Sequence, residues 1–206
     1  MKPDVFDHKS WKALRWTASL FASNIYLILP SKGDEAMLVD AGGRAKEVLR
    51  ALKQEGRKLK WIVLTHGHFD HTTAANKLSR ATKARILIGK EEAGRSKPYR
   101  DGGKALEDGD VIRVGNIDVK VIATPGHTRG GISLYLPGAV FTGDTLFAGG
   151  IGRTDFKGGS MEAIMQSIKE KLLALPDDTA VYPGHGPPST IGRERRSNPF
   201  IIRDRR

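Results

Sequence analysis

Thr65-His66-Gly67-His68-Phe69-Asp70-His71 packs three of the chain's six histidines and one carboxylate into seven residues, directly after the apolar run Trp61 to Leu64. That run has the length and continuity of a buried strand, so the cluster sits where a strand ends. The cluster is too tight to be one regular element. His66 and His68 are spaced for one side of an extended loop, with Asp70 and His71 aimed elsewhere. Two further histidines lie in glycine-containing turns, His127 in Pro125-Gly126-His127-Thr128 and His185 in Pro183-Gly184-His185-Gly186. Asp144 falls between them in Thr142-Gly143-Asp144-Thr145, and only His8 stands outside the pattern. A lone histidine usually belongs to the core or the surface. Five imidazoles and two carboxylates in glycine-flanked loops are instead the donor supply of a two-metal hydrolytic site, whose ions lie about 3.5–4 Å apart and share a carboxylate.

Composition narrows the chemistry. The chain has 206 residues and no cysteine, which excludes disulfides and thiolate metal sites. Any metal is held by nitrogen and oxygen, a set that suits zinc, iron or manganese. No apolar run is long enough for a membrane span. The apolar patch Leu20 to Pro30 is broken by Ser23 and Asn24 and reads as a strand, not a signal-peptide core, so a cytoplasmic location is expected. Many charges with few glutamines and asparagines hint at a thermophilic source. The net charge of +11, from 34 basic and 23 acidic residues, favours anionic substrates or nucleic acid. The basic residues are spread along the chain and no RNA-recognition motif or zinc finger is present, so a small-molecule substrate is expected over nucleic acid or a membrane.

Strands are predicted at Asn24 to Leu29, Ala36 to Asp40, Trp61 to Leu64, Ala84 to Ile88 and Ala180 to Tyr182. Hairpins are predicted over Val111 to Ile122 and Ile132 to Thr142, around Gly115-Asn116 and Pro137-Gly138. Helices are predicted at Arg44 to Glu55, Thr73 to Ala81, Lys90 to Arg95 and Met161 to Leu173. No repeat, linker or composition break divides the chain, so residues 1–206 read as one domain. The strands end at Asp40, Thr65, Thr124, Thr142 and Tyr182, and a polar candidate stands at or just beyond each end. Such a pattern draws distant residues onto one edge of a rigid sheet.

THGHFDH, PGHT, TGDTLF and PGHG, in this order, resemble the metallo-β-lactamase superfamily. The flanks GDTLFAGGIGRTDF and YPGHGPPSTIGRERRSNPF are similar to short proteins of the glyoxalase II (hydroxyacylglutathione hydrolase) type, over about Asn24 to Phe200. The resemblance implies an α/β fold, a four-layer αββα sandwich with two divalent metals at one edge, zinc first and iron or manganese as alternatives. It implies that His66, His68 and His127 hold one metal, that Asp70, His71 and His185 hold the other, and that Asp144 bridges. Asp40 matches an aspartate that supports the ligands from behind, and it also suits a helix amino-terminal cap. The implied chemistry is hydrolysis of thioesters such as S-lactoylglutathione, or of related activated esters. A metal-bridging water is the nucleophile, and Asp70 orients it or carries a proton.

The likeness has departures. Residues 190–206 stand in place of the carboxy-terminal helical segment that helps full-length glyoxalase II hold glutathione. Arg153 falls where the family places a basic residue for a glutathione carboxylate, whereas Asp155 stands where glyoxalase II has a tyrosine. The two also suit a structural ion pair. GRTDF occurs in persulfide dioxygenases too, which use one iron, and these give the alternative reading. Lactone or phosphoester hydrolysis and RNA processing are further alternatives on the same scaffold. The apolar tail Pro199-Phe200-Ile201-Ile202 is suited to docking on its own domain or on a second copy, which leaves a homo-oligomer open.

Overall fold

The computed structural model describes residues 2–18, 21–93 and 104–203, leaving aside the side chain of Lys104. A seven-stranded sheet runs in sequence order: β1 (Asp4–His8), β2 (Trp11–Thr17), β3 (Asn24–Pro30), β4 (Glu35–Val39), β5 (Lys58–Leu64), β6 (Arg85–Gly89) and β7 (Lys104–Leu106). The second sheet is built from β8 (Val111–Val114), β9 (Ile117–Ala123), β10 (Ile132–Leu136), β11 (Ala139–Gly143), β14 (Ala180–Pro183) and β15 (Ser189–Thr190), in the order β15-β14-β11-β10-β9-β8. Between them in sequence, β12 (Leu146–Phe147) and β13 (Gly150–Ile151) make a small separate hairpin.

Strand alternation sorts the apolar residues into layers. In β3, Tyr26 and Ile28 face the second sheet and pack with Phe141, Leu134 and Tyr182, whereas Leu27 and Leu29 face outwards. Met37, Val39 and Val63 continue the inner layer, and Leu38, Ile62 and Leu64 the outer one. The outer layer is covered by the helices Ala45–Gln54 and Ala75–Thr82 through Val48, Leu52 and Leu78. On the far side Val140 and Val181 are covered by Ile164, Ile168, Leu172, Ile191 and Ile201. The result is the four-layer αββα sandwich that the resemblance implied.

The strand pairs β4–β5, β5–β6 and β11–β14 are parallel. Their carboxyl ends therefore share one edge, and Asp40, the Thr65–His71 stretch, Asp144 and His185 follow those ends directly. Parallel α/β sheets place their ligands at that edge.

Three expectations change. The chain before Asn24 carries a hairpin, β1 with β2, that the sequence pattern does not announce. Lys12 and Arg15 interrupt the apolar alternation of β2, and both are held in ion pairs, Lys12 with Glu55 at 2.8 Å and Arg15 with Asp4 at 2.5 Å. The helix expected over Met161 to Leu173 is α-helical only over Met161–Gln166 and widens to a π-helix over Ser167–Leu172, where the Leu173 N–H donates to Ile168 O at 2.8 Å. The helix expected over Lys90 to Arg95 is present over Lys90–Ala93, and Gly94 and Arg95 lie outside the described residues.

The carboxy-terminal residues are not a loose tail. Helices Ile191–Ser197 and Pro199–Arg203 fold back on the domain, with Ile201 1% exposed. The buried Glu194 is the pin. It accepts from the Gly149 N–H at 2.8 Å, from Asn198 Nδ2 at 2.8 Å and from the Ser189 hydroxyl, while Asn198 Nδ2 also donates to Gly150 O at 3.0 Å. This ties the β12–β13 hairpin to the carboxy-terminal helices. Replacing Glu194 by alanine removes an acceptor from three donors, two of them on the buried Ser189 and Asn198, so we expect a loss of about 1–3 kcal/mol in urea unfolding, with a smaller loss for Glu194→Gln. Unchanged stability in the alanine variant would show that the hairpin is held by apolar packing alone.

Candidate metal centre and its cleft

The strand β5 ends at Leu64, and the chain then runs extended through His68 (φ −65°, ψ 145°) before a single helical turn, Phe69–Thr72. The His71 N–H donates to His68 O at 3.1 Å, and this turn is what separates His66 and His68 from Asp70 and His71. Asp40 leaves β4 with φ 58°, a left-handed conformation that aspartate tolerates better than most residues. Its side chain is no helix cap. The first helix is preceded by Arg44, and no side chain caps it.

Asp40 instead works behind the histidines. Its carboxylate accepts from the Thr65 N–H at 2.8 Å and from the Thr65 hydroxyl at 2.9 Å, and it binds His71 Nδ1 at 2.8 Å. The Thr65 hydroxyl spends its one proton on Asp40, so its oxygen accepts from His66 Nδ1 at 3.1 Å. His127 Nδ1 donates to Arg153 O at 2.7 Å. Three of the imidazoles thus commit Nδ1–H to the protein and turn a lone pair on Nε2 into the site, the arrangement by which outer partners fix metal-ligating histidines.

All seven predicted ligands converge. His66, His68 and His127 form one group, Asp70, His71 and His185 a second, and Asp144 joins a third with His66 and His71, each group holding its donor atoms within 4.8 Å of one another. Asp144 also lies 3.6 Å from His127 Nε2 and 3.5 Å from His185 Nε2, between the two outer groups. His127 Nε2 approaches His68 Nδ1 at 2.9 Å, and His71 Nε2 approaches His185 Nε2 at 3.1 Å.

Electrostatics differ across the site. Burial and the surrounding imidazoles hold His66 well below the usual histidine range, and burial with His127 lowers His68. Burial also works against His71, but Asp40, Asp144 and Asp70 outweigh it and push its pKa up to about 9. The hydrogen bond to Asp70 raises His185 against its burial. Burial would raise Asp70, yet His185 and His71 hold its carboxyl below the ordinary value.

Glycine is required beside this cluster. A Cβ at Gly184 would stand 2.2 Å from Asp144 Oδ1 and 2.8 Å from His71 Cε1. The loop is bonded across the sandwich as well: the Asn24 N–H donates to Gly184 O at 2.7 Å, and the Tyr26 hydroxyl to Pro183 O at 2.8 Å.

The donors open into a cleft of about 760 Å³, walled by Phe21, Phe69, Phe147, Ile151, Arg153 and Phe156. Arg153 takes the paired arrangement. Its Nε and Nη2 donate to Asp155 at 2.8 and 2.6 Å, holding that carboxyl down to about 2, and its guanidinium lies 3.8 Å from the centre of the Phe156 ring. The aromatic wall and the hydrogen-bonding role of Thr65 are not among the sequence expectations. Their signal was the phenylalanine inside or beside three of the motifs, in HFDH, DTLF and RTDF.

Residues 18–185 match the model of the metallo-β-lactamase superfamily. The chain belongs to this superfamily. It is 35% identical to the hydroxyacylglutathione hydrolase GloC of Haemophilus influenzae, over 88% of this chain and 93% of that protein. Among solved structures, ETHE1 from Myxococcus xanthus superposes with a TM-score of 0.84 at 32% identity, covering 93% of this chain and 88% of that one. TTHA1623 in a di-iron-bound form superposes at 0.78 with 33% identity, covering 90% and 98%.

The metallo-β-lactamase fold implies divalent metal ions, and the side chains fit them. His66 Nε2 and Asp144 Oδ1 are buried yet have no hydrogen-bond partner, a costly arrangement that a cation at the same point would relieve. The facing nitrogens of His68 and His127, and of His71 and His185, point the same way. With Nδ1 committed on His127 and His71, each pair converges ring nitrogens that a shared cation would hold together.

Replacing Asp40 by alanine removes the acceptor for Thr65 and His71 while leaving all seven donors. We expect metal affinity to fall about 10–100-fold in chelator competition. Asp40→Asn, which tolerates the left-handed backbone and keeps one acceptor oxygen, should fall less. Wild-type affinity in Asp40→Ala would remove Asp40 from any orienting role.

Proposed function

We propose that this protein is a dinuclear metal-dependent hydrolase that cleaves thioesters, of the glyoxalase II type, or related activated esters. The observation that supports it is the pair of three-donor groups with Asp144 between them at the floor of a cleft large enough for a small-molecule substrate. His66, His68 and His127 would hold one ion, Asp70, His71 and His185 the other, and Asp144 would be shared. Zinc is the first candidate, with iron or manganese as alternatives. When bound, such ions supply Lewis acidity towards a carbonyl oxygen and towards water.

The chain's own residues do the rest. Asp40 and Thr65 lock His71 and His66 in one tautomer and one orientation. Asp70, a carboxylate at the cleft whose Oδ2 lies 3.3 Å from His185 Nε2, would orient the attacking water or carry its proton. Arg153 lines the cleft as a substrate-contacting residue, offering the flat face of a guanidinium whose charge Asp155 already engages. No serine or cysteine nucleophile is required.

The segment GRTDF, which resembles that of persulfide dioxygenases, supports a second reading, a mononuclear iron persulfide dioxygenase. One purified sample separates the two. Two metals per chain with turnover of S-lactoylglutathione supports the hydrolase. One iron with oxygen uptake on glutathione persulfide replaces it by the dioxygenase, and two metals with no thioesterase activity moves the chemistry to lactones or phosphate esters.

Replacing Asp144 by alanine should cost both metals and nearly all turnover, read by metal analysis of the purified variant. A metal-replete, active Asp144→Ala protein would sink the ligand assignment.

A further inference from the structure

Three phenylalanines stand exposed around one opening. Among the described residues seven large hydrophobic side chains are exposed, and three of them, Phe21 (48%), Phe69 (56%) and Phe156 (46%), line the cleft. Scattered single exposures need no explanation, but a cluster at a concave site marks a surface that binds something apolar. The rings are also ordered with respect to the chemistry. Phe156 meets His68 edge-on with centroids 5.8 Å apart, Phe147 meets His185 edge-on at 6.2 Å, and Phe21 and Phe69 stand perpendicular at 4.8 Å. Both flanks of the donor cluster therefore carry hydrocarbon.

The polar provision is correspondingly thin. Apart from the histidines, Arg153 is the one cation among the described residues of the cleft wall, and two of its nitrogens are bonded to Asp155 while its plane covers Phe156. A carrier rich in carboxylates would meet a guanidinium already paired with the exposed Asp155. The +11 charge of the chain can draw anions to the surface, but the wall itself offers them one guanidinium that Asp155 already engages through two of its nitrogens.

We propose that the cleft selects thioesters with a hydrocarbon acyl group, benzoyl or alkanoyl of about six carbons, over short hydroxyacyl esters of glutathione; this rests on the thioester-hydrolase reading above. Water attacks the acyl carbon, a C–O bond forms, and the C–S bond breaks with its electron pair leaving on sulfur. The products are a carboxylate, a thiol and one proton, and no oxidant or reductant is consumed.

The test uses the full metal-loaded chain and N-acetylcysteamine thioesters of acetate, butyrate, hexanoate and benzoate beside S-lactoylglutathione. A fully buried methylene changes an equilibrium by about fourfold. We therefore expect kcat/KM to rise about tenfold or more from acetyl to hexanoyl, and the benzoyl and hexanoyl esters to exceed S-lactoylglutathione. In Phe156→Ala the hexanoyl-to-acetyl ratio should fall at least about threefold. A flat series, or S-lactoylglutathione as the best substrate, overturns the proposal and leaves the hydrolase reading intact.

Calorimetric titration with hexanoate against acetate reads the same preference without turnover, with at least about tenfold tighter binding of hexanoate expected. If no thioester is cleaved but hexanoate binds tighter, thioester hydrolysis fails and the apolar preference of the cleft stands. Equal binding of the two carboxylates overturns that preference.

Discussion

The site depends on a buried carboxylate that touches no substrate. Asp40 accepts three hydrogen bonds at the end of β4, from the Thr65 backbone, the Thr65 hydroxyl and His71 Nδ1. It thereby joins the ends of two adjacent parallel strands and sets two imidazoles at once, one directly and one through Thr65. Such a hub is held in a left-handed backbone that costs about 1–3 kcal/mol, and the surrounding bonds repay it. The Ala41 N–H donates to His71 O, and the Ala74 N–H donates to Ala41 O, so the loop after β4 and the helical turn of the cluster are stitched together. Loosening Asp40 would misplace donors at the centre of the molecule without removing one of them.

This arrangement sets stability against function. Seven titratable groups are drawn within a few ångströms, several of them buried, and their own hydrogen bonds leave His66 Nε2 and Asp144 Oδ1 unsatisfied. Hydrophobic layers on both faces of both sheets supply the opposing stabilisation. The carboxy-terminal helices contribute twice, by covering Val140 and Val181 and by pinning the β12–β13 hairpin through Glu194 and Asn198. That hairpin carries Phe147 and Ile151 into the cleft, so a segment remote from the donors shapes the wall a substrate meets.

Much of this was legible in the sequence, for identifiable reasons. The strand Asn24–Pro30, and Lys58–Leu64 over its last three residues, are buried on both faces, which leaves an apolar run that few other elements show. The donors were legible because metal chemistry demands rare residue types, and close packing demands glycine beside them, as at Gly184. The β1–β2 hairpin was not, because Lys12 and Arg15 are neutralised by Glu55 and Asp4, partners that only the fold supplies. Asp40 suited a helix cap or a ligand support equally, since both need a short acceptor after a strand; the left-handed backbone and the Thr65 contact decide for the second. Arg153 and Asp155 lie two residues apart, and nothing in that spacing reveals that the guanidinium stacks on Phe156.

That stacking changes how Arg153 should be read. A guanidinium that is free at a cleft rim is an anion receptor, whereas one bonded through two nitrogens to a carboxylate has part of its donor set already engaged. The Arg153–Asp155 pair is itself exposed, so its attraction is screened and contributes little to stability. What it does is local: it pairs the one permanent positive charge among the described residues of an aromatic wall and holds that guanidinium over the ring of Phe156. The segment GRTDF thus lines the cleft through Arg153 and Phe156. It builds a surface, and the clustered histidines and carboxylates lie beside it in the same cleft.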